Sequence, residues 1–90
     1  MDDMRVGSPP AAGYALEDLT VGMTAAYEHV VTEQDVVKFA EISGDHNPVH
    51  LDEAYARTTR FKGRIVHGML SASFVSTTIA SRLPGPGTIY

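Results

Sequence analysis

The stretch from Ile65 to Ser81 contains no formally charged residue, and it constrains the fold more than any other part of the chain. A helix opening near His67 would spread Met69, Leu70, Ala72, Phe74, Val75, Ile79 and Ala80 round most of its circumference, with Ser or Thr at most other positions. A helix that is apolar or small on every side has to be enclosed by other elements. With His67, four serines and two threonines, the segment falls short of a membrane span. A buried helix wrapped by a sheet is the expected arrangement. Leu83-Pro84-Gly85-Pro86-Gly87 ends the helix, and Thr88-Ile89-Tyr90 opens a strand.

The preceding residues supply candidates for what surrounds that helix. Residues 1 to 13 are rich in Gly, Pro, Ala and Asp and read as a flexible N-terminal tail. Between Val21 and Val31 the alternation of Val21, Met23, Ala25 and Tyr27 predicts a strand with one buried face, on which His29 is structural. Thr32, with Asp35 at the third helical position, makes a capping box for a helix from Glu33 to about Ser43. Val36, Val37, Ala40 and Ile42, with Phe39 nearby, form its apolar face, and Gly44 is its stop. A second helix starts at Pro48 and fades near Thr58, before the basic residues Arg57, Arg60, Lys62 and Arg64 of a solvated loop.

Composition removes several function classes. Ninety residues imply one small domain. The net charge of −4 gives no electrostatic case for nucleic acid or an anionic membrane. The absence of cysteine excludes disulfides, thiolate zinc sites and a cysteine nucleophile, and accords with a cytoplasmic protein. Asp2 and Asp3 oppose the basic start of a secretory signal. No Gly-x-Gly-x-x-Gly or P-loop pattern appears, so no nucleotide cofactor is expected.

The chemistry concentrates in Ser43-Gly44-Asp45-His46-Asn47-Pro48-Val49-His50. Asn47 as N-cap and Pro48 at the first helical position place His50 in the first turn of a helix, with Asp45 on the loop just upstream. Positive potential at a helix start favours an ionised Asp45 and a neutral, proton-accepting His50. Such a pair is suited to handling a water molecule as an acid/base couple. The same residues also read as a polar turn held by its own side-chain hydrogen bonds. His46 and His50 have the i, i+4 spacing of paired metal ligands, but Pro48 lies between them and leaves His46 outside the helix. No metal site is expected there.

The run from Phe39 to Asp52 closely resembles the signature of the MaoC-like, (R)-specific enoyl-CoA hydratases. Phe61-Lys62-Gly63-Arg64-Ile65-Val66-His67-Gly68-Met69-Leu70 is similar to the family's second block, and Leu83 to Tyr90 resembles the entry to its next strand. The resemblance covers residues 14 to 90. It implies an α+β hot-dog fold, an antiparallel sheet around one central helix, working as a homodimer on an enoyl-CoA thioester. It implies that Asp45 and His50 bind the water that adds across a trans-2-enoyl thioester, giving an (R)-3-hydroxyacyl-CoA reversibly. Gly68 matches the glycine whose N–H receives the thioester oxygen, and Ser76 lies near a serine that faces the site in the family. Asn47 positions the pair, and His67 either helps shape the site or is a satisfied polar group. The basic loop is a candidate contact for the phosphates of coenzyme A.

One full strand and the start of another are too few for a hot-dog sheet. The chain is therefore expected to be the N-terminal part of such a domain, truncated after the second strand begins. The competing expectation is a catalytically silent hot-dog module that dimerises or binds acyl thioesters without turnover. A sibling dehydratase or thioesterase of the same fold is a third.

Overall fold

The computed structural model describes residues 4–90. They form two compact units, residues 30–72 and the combination of residues 4–29 with Ser73–Tyr90.

The first unit is helical. Helix α1 spans Glu33–Ser43 and opens with the expected reciprocal cap: the Asp35 N–H donates to Thr32 Oγ1 at 3.1 Å and the Thr32 N–H to the Asp35 carboxylate at 2.9 Å. Its stop is Gly44, whose φ of 78° is left-handed and whose N–H donates to Ala40 O at 2.9 Å. Val36 and Ala40 are buried and Phe39 half-buried, whereas Val37 is partly exposed and Ile42 is 86% exposed. At ~100° per residue, Val36, Phe39 and Ala40 share one narrow arc and Ile42 falls outside it.

The expected second helix is two short ones. Helix α2 spans Pro48–Leu51 and α3 spans Glu53–Arg57, with an extended Asp52 between them at φ −121° and ψ 105°. Asp52 ends α2 by donating its N–H to Pro48 O at 2.8 Å, and its carboxylate starts α3 by accepting from the Tyr55 N–H at 3.1 Å. Aspartate is a strong N-cap, and here that preference interrupts the run.

Helix α4, Gly68–Ser81, begins in this unit and continues in the other. The helix is present where the pattern predicts it, but the expected enclosure is not: Leu70 is buried, while Met69 is 71% and Val75 62% exposed. No helix among the described residues is long and apolar enough to cross a membrane.

In the other unit, His29 stacks on Phe74 at 4.5 Å and Tyr27 lies beside both rings. Arg82 donates to Ala26 O at 3.2 Å. Residues 1–3 of the expected tail lie outside the described residues. Within residues 4–13, the Val6 N–H donates to Thr24 O, the Thr24 N–H donates to Met4 O, and Gly13 adopts φ 78°. A Cβ at Gly13 would run into the Pro86 carbonyl oxygen.

The strand expected over Val21–Val31 is not formed. Among the described residues the sole pairing is an isolated parallel bridge between Arg5 and Thr24; residues 25–32 and 88–90 have no regular structure. The alternation itself survives in part, because Met23, Ala25 and Tyr27 are half-buried while Val21 is fully exposed. A strand is defined by a ladder to a neighbour, and among the described residues this segment has only the single bridge at Thr24.

Candidate active site

The loop between α1 and α2 is a relay of side-chain to backbone bonds. The Asp45 N–H donates to Ser43 Oγ at 3.1 Å, the Asn47 N–H to Asp45 Oδ1 at 3.2 Å, and the Val49 N–H to Asn47 Oδ1 at 3.1 Å. The polar-turn reading and the N-cap reading of this sequence are thus both realised. Each short side chain satisfies a donor two residues on, which fixes the loop and presents Asp45 at the surface.

His50 is held from the opposite direction. Its Nδ1 lies 2.9 Å from Ile65 O; a carbonyl only accepts, so Nδ1 carries a hydrogen, and in the neutral ring Nε2 keeps its lone pair. Two further bonds tie α2 to the same segment: the Ile65 N–H donates to Val49 O at 3.2 Å, and Arg64 Nε donates to His50 O at 2.7 Å. As α2 is a single turn of four residues, these contacts, rather than the field of a helix, orient the imidazole.

His67 completes the cluster. Its Nε2 donates to Asp45 O at 3.0 Å, its ring stacks on His50 with centroids 3.9 Å apart, and Phe39 packs against it at 4.9 Å. Only 2% of His67 is exposed, and its Nδ1 is buried with no hydrogen-bond partner. The nitrogen and carboxylate ligand atoms of Asp45, His50 and His67 all lie within 4.8 Å of one another. Gly68 follows directly as the first residue of α4, and a Cβ there would meet nothing within 4 Å.

Asp45, Asn47, His50, His67 and Gly68 therefore belong to one unit. Ser76 lies in the other, where its hydroxyl is hydrogen-bonded to that of Tyr90. His46 is exposed, with Nδ1 donating to Gly44 O at 3.2 Å, and is no part of the cluster. An open cavity of ≈ 190 Å³ is lined by Val31, Val36, His50, Arg64, Ile65 and Val66 among others.

Arg64 departs from the sequence reading. Instead of standing in a solvated loop, it is half-buried, pairs with Glu33 at 2.7 Å and holds the His50 carbonyl. Nothing in its local sequence marks it out from Arg57, Arg60 or Lys62, because its partners lie 14 and 31 residues away.

A buried imidazole pair beside a loop carboxylate, following a capped helix, defines a candidate acid/base site. The MaoC like domain matches residues 19–89, and the chain belongs to that family. It is 51% identical over 74 residues to the (R)-specific enoyl-CoA hydratase of Rhodospirillum rubrum, covering 82% of this chain and 51% of that protein. It is 49% identical to the 3-hydroxybutyryl-CoA dehydratase of Methylorubrum extorquens, again over 82% of this chain and 47% of the relative. Among solved structures, the unliganded R-hydratase PhaJ1 from Pseudomonas aeruginosa superposes with a TM-score of 0.81 at 52% identity, over 93% of this chain and 53% of that one. The chain spans about half the length of these relatives.

Proposed function

We propose that this chain contributes the water-activating half-site of an (R)-specific hydratase, which converts a trans-2-enoyl-CoA reversibly to the (R)-3-hydroxyacyl-CoA. The observation that carries this reading is the 2.9 Å approach of His50 Nδ1 to Ile65 O. With Nδ1–H committed to Ile65 O, Nε2 is the nitrogen free to take a proton, and the Asp45 carboxylate lies within 4.8 Å of the imidazole cluster.

In the proposed reaction the thioester oxygen rests on the Gly68 N–H, where the backbone is open to an approaching ligand. Polarisation of the conjugated double bond makes C3 electrophilic. Asp45 orients a water, His50 Nε2 takes its proton as the oxygen adds to C3, and the imidazolium returns that proton to C2 on the same face, so one water is added overall and the site is regenerated. Asn47 fixes the loop between the two groups, and His67 buttresses both through its stack and its bond to Asp45 O. Ser76 remains a substrate-side candidate. The sheet of a hot-dog domain, and a homodimer burying the exposed side of α4, belong to the same proposal. The names of the relatives support the reaction class.

A second reading, a catalytically silent module, is favoured by one observation. The cavity lined by His50 is ≈ 190 Å³, below the roughly 300–1,000 Å³ of a typical ligand site.

The test is incubation of the purified chain with crotonyl-CoA, with an (R)-specific 3-hydroxyacyl dehydrogenase reading the product. Formation of (R)-3-hydroxybutyryl-CoA is expected. An (S) product, or no hydration at all, would contradict the proposal and, in the second case, support the silent module.

A further inference from the structure

Two consecutive residues, Arg64 and Ile65, hold His50 at its side chain and at its backbone. Ile65 O lies 2.9 Å from the imidazole Nδ1, and Arg64 Nε donates to the His50 carbonyl at 2.7 Å. The two are themselves anchored: the Arg64 N–H donates to Glu53 Oε1 at 3.0 Å and the Ile65 N–H to Val49 O at 3.2 Å. Helix α2 depends on such outside support. It has four residues, its last carbonyls find no partner within it, and a single turn does not persist alone. Arg64 supplies one of the missing partners. Its guanidinium is a planar fork, with Nε on the His50 carbonyl while Nη1 meets Glu33 Oε2 at 2.7 Å. A lysine ammonium lacks that fixed pair of directions.

We propose that Arg64 is a positioning residue for the hydration: by fixing the His50 carbonyl it seats α2 so that the imidazole meets Ile65 O and stays in its Nδ1–H form, with Glu33 orienting the guanidinium. The ring hydrogen follows the bond that holds it. When α2 shifts, the contact with Ile65 O lengthens or bends, and a hydrogen bond weakens steeply below ~120°. The hydrogen then distributes over both nitrogens, and wherever Nε2 carries it, that atom cannot take a proton from water. Arg64 acts through His50 rather than on the reacting atoms. The kinetic consequence rests on the hydratase reading; the tautomer does not.

Nitrogen NMR of the imidazoles in the labelled, purified chain tests this at a pH where the histidines are neutral, with the His50 signals assigned through His50→Gln. The wild type should show a protonated Nδ1 and an unprotonated Nε2. In Arg64→Lys the two shifts should converge towards the average of exchanging tautomers. Thr32→Ala, which loses a cap of α1 and no bond to His50, should match the wild type. Crotonyl-CoA hydration by Arg64→Lys should lose about 10- to 100-fold in kcat through misplacement of the base, with KM little changed. These shifts in a wild type that fails to hydrate would uphold the inference and contradict the hydratase reading. Unmoved His50 shifts in folded Arg64→Lys, equal convergence in Thr32→Ala, or an undiminished kcat beside an active wild type would each overturn it. Where Arg64→Lys does not fold, Glu33→Ala on the exposed side takes its place; the same convergence in smaller measure is expected, and unmoved shifts would overturn the inference.

Discussion

His50 receives its chemical state from residues that are distant in sequence. Its Nδ1–H is engaged by a carbonyl 15 residues away and its own carbonyl by Arg64. Arg64→Ala should therefore destabilise the chain by about 1.5–3 kcal/mol, the usual contribution of a hydrogen bond to a charged group. Glu33→Gln should cost less than ~1 kcal/mol, because that carboxylate is largely exposed and its ion pair is screened. Urea unfolding of both variants checks the order; equal losses would assign the effect to the ion pair instead. Gly68→Ala separates stability from function. An added methyl meets open space and alanine favours helix, so the melting temperature holds or rises. Under the proposed mechanism hydration falls, because the methyl obstructs the approach to the Gly68 N–H.

At the scale of elements, short-range signals were readable and long-range ones were not. The capping box of α1, the left-handed Gly44, the Asn47 cap and Pro48 at the start of α2 are all set within four residues, and each is found as the sequence implies. Thr32→Ala should cost about 1 kcal/mol through loss of its bond to the Asp35 N–H. Gly44→Ala should cost about 1–2 kcal/mol for conformation alone, since its Cβ would touch nothing. Thermal unfolding followed by circular dichroism measures both. The break at Asp52 is equally local, because one residue both ends α2 through its N–H and caps α3 through its carboxylate. The role of Arg64 was hidden because four basic residues look alike until the fold brings Glu33 and the His50 carbonyl to one of them.

For the whole molecule, the candidate site was more legible than the sheet. Asp45 and His50 are five residues apart, so a turn and a cap suffice to bring them near each other, whereas a strand needs a neighbour that periodicity does not specify. The expected strand at Val21–Val31 is correspondingly absent among the described residues. Met69, Val75, Ile42 and Val30 stand exposed, and apolar surface of that kind promotes association. Sedimentation velocity should show the mean mass rising with concentration above that of a 9.7 kDa chain; a concentration-independent monomer would argue against the proposed dimer. The account rests most heavily on Asp45 and His50 acting together on water. The most direct measurement is the hydration rate of crotonyl-CoA at saturating substrate for the wild type, Asp45→Asn and His50→Ala, with folding verified for each. The account predicts a fall of about 10²-fold or more in both variants, with crotonyl-CoA still bound. Rates near wild type in either would contradict it.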